Sequence, residues 1–132
     1  GGALGVAEGF NQRVFLAYPF VPSDWTPEGL KALEEIREKS GLGNQHGALQ
    51  VSAYCAALLL SEGLKRAGRD ASREKLVSAL ENLHNFRTGL TPQLSFGPGQ
   101  RVGASGAHIV MVDSQAQRFQ ALGHYISVDS DF

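Results

Sequence analysis

The sequence is poor in cysteine, in net charge and in long apolar runs, and each shortage excludes something. Cys55 is the single cysteine, so no intrachain disulfide and no multi-cysteine metal site can form. One cysteine leaves the compartment open. Twelve Lys+Arg stand against 13 Asp+Glu, for a net charge of −1. That balance lacks the basic surplus a phosphate-gripping surface needs, so no nucleic-acid partner is expected. The longest apolar run, Val51 to Leu60, is well short of the ~20 residues that cross a bilayer. No charged and apolar leader opens the chain, and its first residue is Gly1 rather than Met. The expectation is a cut or processed chain whose signal peptide, if any, lies upstream.

What the sequence does have is glycine: 16 in 132 residues, about 12% against a usual ~7%. They punctuate rather than repeat, which excludes collagen-like and linker readings. Hydrophobic residues make up 42% and charged residues 19%, a globular balance for one domain-sized chain.

Gly1 to Asn11 reads as loop, and Arg13 to Phe20 as a buried strand stopped by Pro19 and Pro22. Thr26 as N-cap, Pro27 at the first position and Glu28 in the first turn open a helix that Gly41 ends. Leu30, Leu33 and Ile36 are its apolar stripe. A second helix, about His46 to Ala67, is apolar on nearly every face between Val51 and Leu60, as expected of a helix packed on several sides. A third runs from a cap at Asp70 or Ser72 to about His84. Residues 90–96, 107–113 and 117–122 are strand candidates, with 123–128 as a further short one. A lone first strand followed by three helices needs neighbours beyond those this order supplies.

Searches for chemistry give little. Gly41-Leu-Gly43-Asn-Gln-His-Gly47 has its third glycine one place late and follows a helix, so it reads as a helix connection and not a dinucleotide loop. Gly103-Ala-Ser105-Gly-Ala107 lacks the final glycine and the following helix of a nucleophile elbow. His46, His84, His108 and His124 show no metal-ligand spacing. Cys55 sits in the apolar helix as a small hydrophobe. Arg66, Arg69, Arg73 and Lys75, interleaved with Asp70 and Glu74, read as a solvated turn. No catalytic residue, metal ligand or cofactor is assigned, and the chain is not expected to be an enzyme. Tyr18, at a strand's C-terminal end, and Tyr54, in the apolar helix, are the two positions open to either core packing or ligand contact.

Tyr54-Cys-Ala56, then Leu64-Lys-Arg-Ala67-Gly68, then Arg73-Glu74-Lys-Leu76 and Ala79-Leu80 form an ordered set. It resembles the signature of type I periplasmic solute-binding proteins of ABC transporters, nearest to the branched-chain amino-acid (Leu/Ile/Val) receptors. Thr91 to Pro98, Arg101-Val-Gly103 and Ile109 to Val112 are similar to that family's closing strands. The resemblance implies an α/β chain: the C-terminal part of a two-lobed periplasmic-binding-protein type I fold, three helices followed by closing strands. On that mapping about 1–22 is a second-lobe strand and crossover, about 23–100 first-lobe helices and strand, and about 101–132 closing strands through the hinge. The first strand's partners would lie in residues outside this chain. The resemblance also implies an extracytoplasmic protein that binds an amino acid or small carboxylate between lobes. Its partners would be a membrane permease and the remainder of the same polypeptide or a complementary chain. Tyr54 matches the family's helix tyrosine near the cleft, and Tyr18 sits where a strand-end side chain can face it. The alternative is a ligand-sensing regulatory domain of the same fold in a larger receptor.

Overall fold

A computed structural model describes residues 4–128. The elements run β1 (Phe15–Tyr18), α1 (Pro27–Lys39), α2 (Gly47–Ala67), α3 (Arg73–Glu81), β2 (Gly106–Asp113) and β3 (Arg118–Ser127), with short 3-10 turns at Glu8–Phe10 and Pro22–Asp24. They fall into two compact units. One comprises the chain up to Val21 with the chain from Ser105 onward; the other is Pro22–Ala104.

The first unit is a three-stranded antiparallel sheet in the order β1-β2-β3. This corrects the expectation that β1 finds no neighbour inside the chain. Phe15 pairs with Met111 and Tyr18 with His108, so the missing neighbour returns some ninety residues later, beyond the reach of any local pattern. The backbone extends this pairing, with Gln12 N–H donating to the Val112 carbonyl and Val112 N–H to that of Val14. β3 is also one strand, where the sequence suggested a break after Leu122. Gly123, at φ 71°, lies beside the register shift between Ala107 and Ile109, so a bulge takes up the irregularity and pairing resumes at Ile126 and Ser127. Leu16, His108, Val110, Val112 and Ala121 share one face by register, and Val110 and Val112 are fully buried. The opposite face carries Phe15, Ile109, Met111, Leu122 and Ile126, three of them exposed. An antiparallel sheet open to water on one side ordinarily alternates apolar and polar; here Gln120, paired with Met111, stands among these apolar neighbours on the second side.

Asp113 closes the β2–β3 hairpin. Its Oδ1 accepts from Ala116 N–H at 2.9 Å, and Oδ2 accepts from Gln12 Nε2 at 3.5 Å. The Ala116 N–H bond is the main cause holding this carboxyl below its ordinary range, against the opposing effect of burial; Gln12, the charge of Arg118 and the Gln115 N–H add to the lowering. A carboxyl with a depressed native pKa stabilises above its unfolded pKa of about 4 and loses that contribution as pH falls through the native value. Asp113→Asn is therefore expected to lower the melting temperature at pH 7, with the gap to wild type closing in acid. A gap independent of pH would assign the effect to shape alone.

The second unit holds the three helices. Thr26 caps α1, its Oγ1 accepting from Gly29 N–H at 3.1 Å, and Ser72 rather than Asp70 caps α3, accepting from Lys75 N–H at 3.2 Å. The 41–46 segment joins α1 to α2, tied by Gln50 Nε2, which donates to the Gly43 and Gln45 carbonyls at 2.8 Å each. Gly63 lets α3 approach α2, because a Cβ there would lie 2.8 Å from Leu80 Cδ2. Leu33, Val51, Cys55, Leu83 and Leu90 are the buried apolar residues.

Two expectations fail in this unit. Residues 90–96 form no strand: they make single bridges and loop bonds, Phe86 with Leu94 and Ser95 N–H to the Gly103 carbonyl. The buried Thr88 Oγ1 accepts from Leu90 N–H at 3.1 Å and Thr91 N–H at 3.0 Å, and Pro92 has no N–H, so three successive ladder donors are removed. And α2 is not enclosed. Only Val51, Cys55 and Gly63 are buried, while Leu49, Leu60 and Leu64 are 69%, 50% and 44% exposed. Within the unit, which has helices but no strand among the described residues, no sheet covers the rest of that helix.

Candidate ligand-binding site

Tyr18 ends β1 because Pro19 follows it, offering no N–H to continue a ladder. Its half-buried ring packs 5.3 Å from Phe119 and edge-on to Phe20 at 6.1 Å. His108, its partner across the ladder, is buried and meets the Tyr125 ring edge-on at 5.2 Å. The Tyr125 hydroxyl oxygen is buried without a hydrogen-bond partner among the described residues. Sequence reasoning missed His108 and Tyr125 as members of this aromatic group. The alternation of β2 places His108 on the buried face, but the bulge that sets Tyr125 beside it leaves no local signal.

In the helical unit, Asp24, Thr26, Arg87, Gly89, Thr91 and Gln93 line a recess of about 270 Å³ at the start of α1. Gln93, with its amide oxygen turned toward Arg87, accepts from Nε at 3.1 Å and Nη2 at 3.3 Å, holding the guanidinium at the rim. Thr26 and Thr91 both spend hydroxyl capacity on their own turns. Trp25, between Asp24 and Thr26, buries its indole Nε1 without a partner among the described residues. Donors and acceptors of both charges thus surround one small recess. None of these residues was picked out from sequence as a ligand contact.

Tyr54 is half-buried on α2, one residue before Cys55. Tyr18 and Tyr54 belong to different units. Burial pushes the Cys55 thiol above its ordinary range, opposed in part by a hydrogen bond with Thr88, so it stays protonated and unreactive at neutral pH. Ser105 precedes a strand and bonds the Ser127 hydroxyl at 2.8 Å, unlike a nucleophile on a strand-to-helix elbow. Among the described residues no three His, Cys, Asp or Glu side chains cluster as a metal site.

The architecture has close counterparts among solved structures. A substrate-binding protein of an ABC transporter from Aeropyrum pernix superposes with a TM-score of 0.70 at 20% identity, covering 94% of this chain and 34% of that one. A branched-chain amino-acid ABC transporter protein from Thermus thermophilus, solved with bound valine, gives 0.64 at 17% identity, covering 87% and 33%. The fold is therefore α/β, part of the two-lobed periplasmic-binding-protein type I architecture. Residues 3–117 match the periplasmic binding protein family, and the chain belongs to it. It spans about a third of the length of these solved relatives. No curated protein sequence matches significantly.

Proposed function

We propose that this chain is part of an extracytoplasmic solute-binding component of an ABC transporter. The ligand would be an amino acid or similar small carboxylate held between two lobes and presented to a membrane permease. The observation that carries the reading is the family match over residues 3–117. Its support at the level of residues is a small recess lined by residues of both charges, Asp24 and Arg87 among them. In this proposal about 1–22 belongs to the second lobe and crossover, about 23–100 to the first lobe, and about 101–132 to closing strands through the hinge. In this account Tyr18 and Tyr54 each contribute to the ligand cleft, and binding selects the closed arrangement of the lobes by a population shift. No group on the chain is asked to do chemistry.

The test is a titration of the full-length protein with a panel of amino acids and small carboxylates, repeated for Tyr54→Phe. A ring kept without its hydroxyl should weaken the best ligand about tenfold, or ~1.4 kcal/mol. The ligand-free melting temperature should stay at the wild-type value. Equal loss of binding and melting temperature would make Tyr54 a packing residue.

A further inference from the structure

Arg87 and Gln93 face each other for a reason that begins in the backbone. Phe86 N–H donates to the Leu94 carbonyl at 2.8 Å, and Leu94 N–H to that of Phe86 at 3.0 Å. This antiparallel bridge sets residues 87 and 93 opposite one another, one step inside the loop. The loop is itself pinned, because Thr88 Oγ1 takes the Leu90 and Thr91 N–H groups and Leu90 is fully buried. Arg87 therefore projects from a fixed base.

The Gln93 amide oxygen accepts from Arg87 Nε at 3.1 Å and Nη2 at 3.3 Å. Those bonds occupy the side edge of the guanidinium. They leave the fork of Nη1 and Nη2, the end edge that can pair in parallel with a carboxylate. The amide is neutral, so it fixes the direction of the group and cancels none of its charge. Other arginines are spent differently. Arg66 and Arg101 are paired with Glu62 and Glu81 at 2.8 and 2.7 Å. Arg37 is also held by an amide, Gln50 Oε1 at 2.6 Å, but it shares its recess with Glu34 and Glu38. Arg87 shares its recess of about 270 Å³ with one carboxylate, that of Asp24.

We propose that Arg87 receives the carboxylate of the solute in this recess, and that Gln93 is the positioning residue that aims it. The proposal rests on the solute-binding reading above and deepens it by naming the group that takes the anion. Asp24 narrows the class. Its charge repels a doubly charged oxyanion about twice as strongly as a monocarboxylate at the same place, which disfavours sulfate and phosphate.

The test follows the nitrogen-15 guanidinium signals of the full-length protein while sodium acetate replaces sodium chloride at constant ionic strength. The expected result is a saturating shift at Arg87, with Arg66 and Arg101 nearly still and a smaller response to sodium sulfate. Gln93→Leu should weaken acetate about fivefold by freeing the guanidinium, and Gln93→Glu about tenfold or more by neutralising it in place. Residues 87 and 93 are exposed, so melting temperatures should match wild type. A merely structural Gln93 predicts the reverse order, because a carboxylate holds an arginine more tightly than an amide does. An Arg87 signal that never saturates, sulfate bound as tightly as acetate, or acetate bound by Gln93→Glu as by wild type would each overturn the proposal. Saturation at Arg87 while no solute binds the full-length protein would leave a carboxylate site and remove the solute-binding reading. A solute bound by Arg87→Gln at wild-type affinity would remove this assignment alone.

Discussion

Gly29→Val is expected to cost on the order of 3 kcal/mol or more, as overpacking against unyielding neighbours does. Gly29 lies buried in the first turn of α1, and a Cβ there would run into the Gly89 carbonyl. The obstacle is backbone rather than the end of a flexible side chain. Gly89 cannot retreat, because its carbonyl accepts from Thr26 N–H at 2.8 Å and its own φ of 77° suits glycine alone. A Cβ on Gly89 would in turn stand 2.9 Å from Thr26 Oγ1, the α1 cap. Two glycines sixty residues apart in sequence thus form one contact, and enlarging either separates α1 from the 87–91 turn. Denaturant melts of Gly29→Val against Gly43→Ala, whose Cβ meets nothing within 4 Å, measure this. Similar midpoints for the two variants would refute the contact.

Leu90→Ala is expected to lower stability by about 2–5 kcal/mol, the cost of an apolar side chain removed from a site that collapses only partly. Leu90 is 0% exposed. Its N–H is held by Thr88 Oγ1 in a turn whose two threonine hydroxyls lie 2.7 Å apart, so the backbone keeps its path and the vacated volume stays open. Val102→Ala, at a residue 70% exposed, should change stability by less than ~0.5 kcal/mol. A Leu90→Ala variant as stable as Val102→Ala would mean that the 88–91 turn lies on the surface.

What could be read from the sequence follows from how far each signal reaches. Thr26-Pro27-Glu28 announced one helix and a cap at Asp70 or Ser72 another, because a cap acts over a few residues; Thr26 and Ser72 make the capping bonds, and Asp70 does not cap. Cys55 read as inert from its apolar neighbours, and burial moves its thiol in the direction that keeps it so. Residues 90–96 misled because a Leu-Thr-x-x-Leu-x-Phe pattern is strand-like, whereas Thr88, outside that window, captures the N–H groups of Leu90 and Thr91. The β1–β2 pairing and the Gly29–Gly89 contact both span distances that no periodicity encodes. The recess at the start of α1 was hidden for the same reason: Asp24 and Thr26 come from one side of the helical unit's sequence, and Arg87, Thr91 and Gln93 from the other. Tyr18 was chosen as a strand-end residue, and β1 does end there, but its Phe119 neighbour came into view only with the sheet.

The central claim is that this chain serves a two-lobed receptor for a small solute. Calorimetric titration of the full-length protein with amino acids and small carboxylates, paired with small-angle scattering before and after saturation, tests it most directly. The account predicts one solute bound per molecule, a smaller radius of gyration in the saturated state, and about 2.7 kcal/mol of added stability at a hundredfold excess over Kd. A full panel with no heat of binding and unchanged dimensions would contradict it.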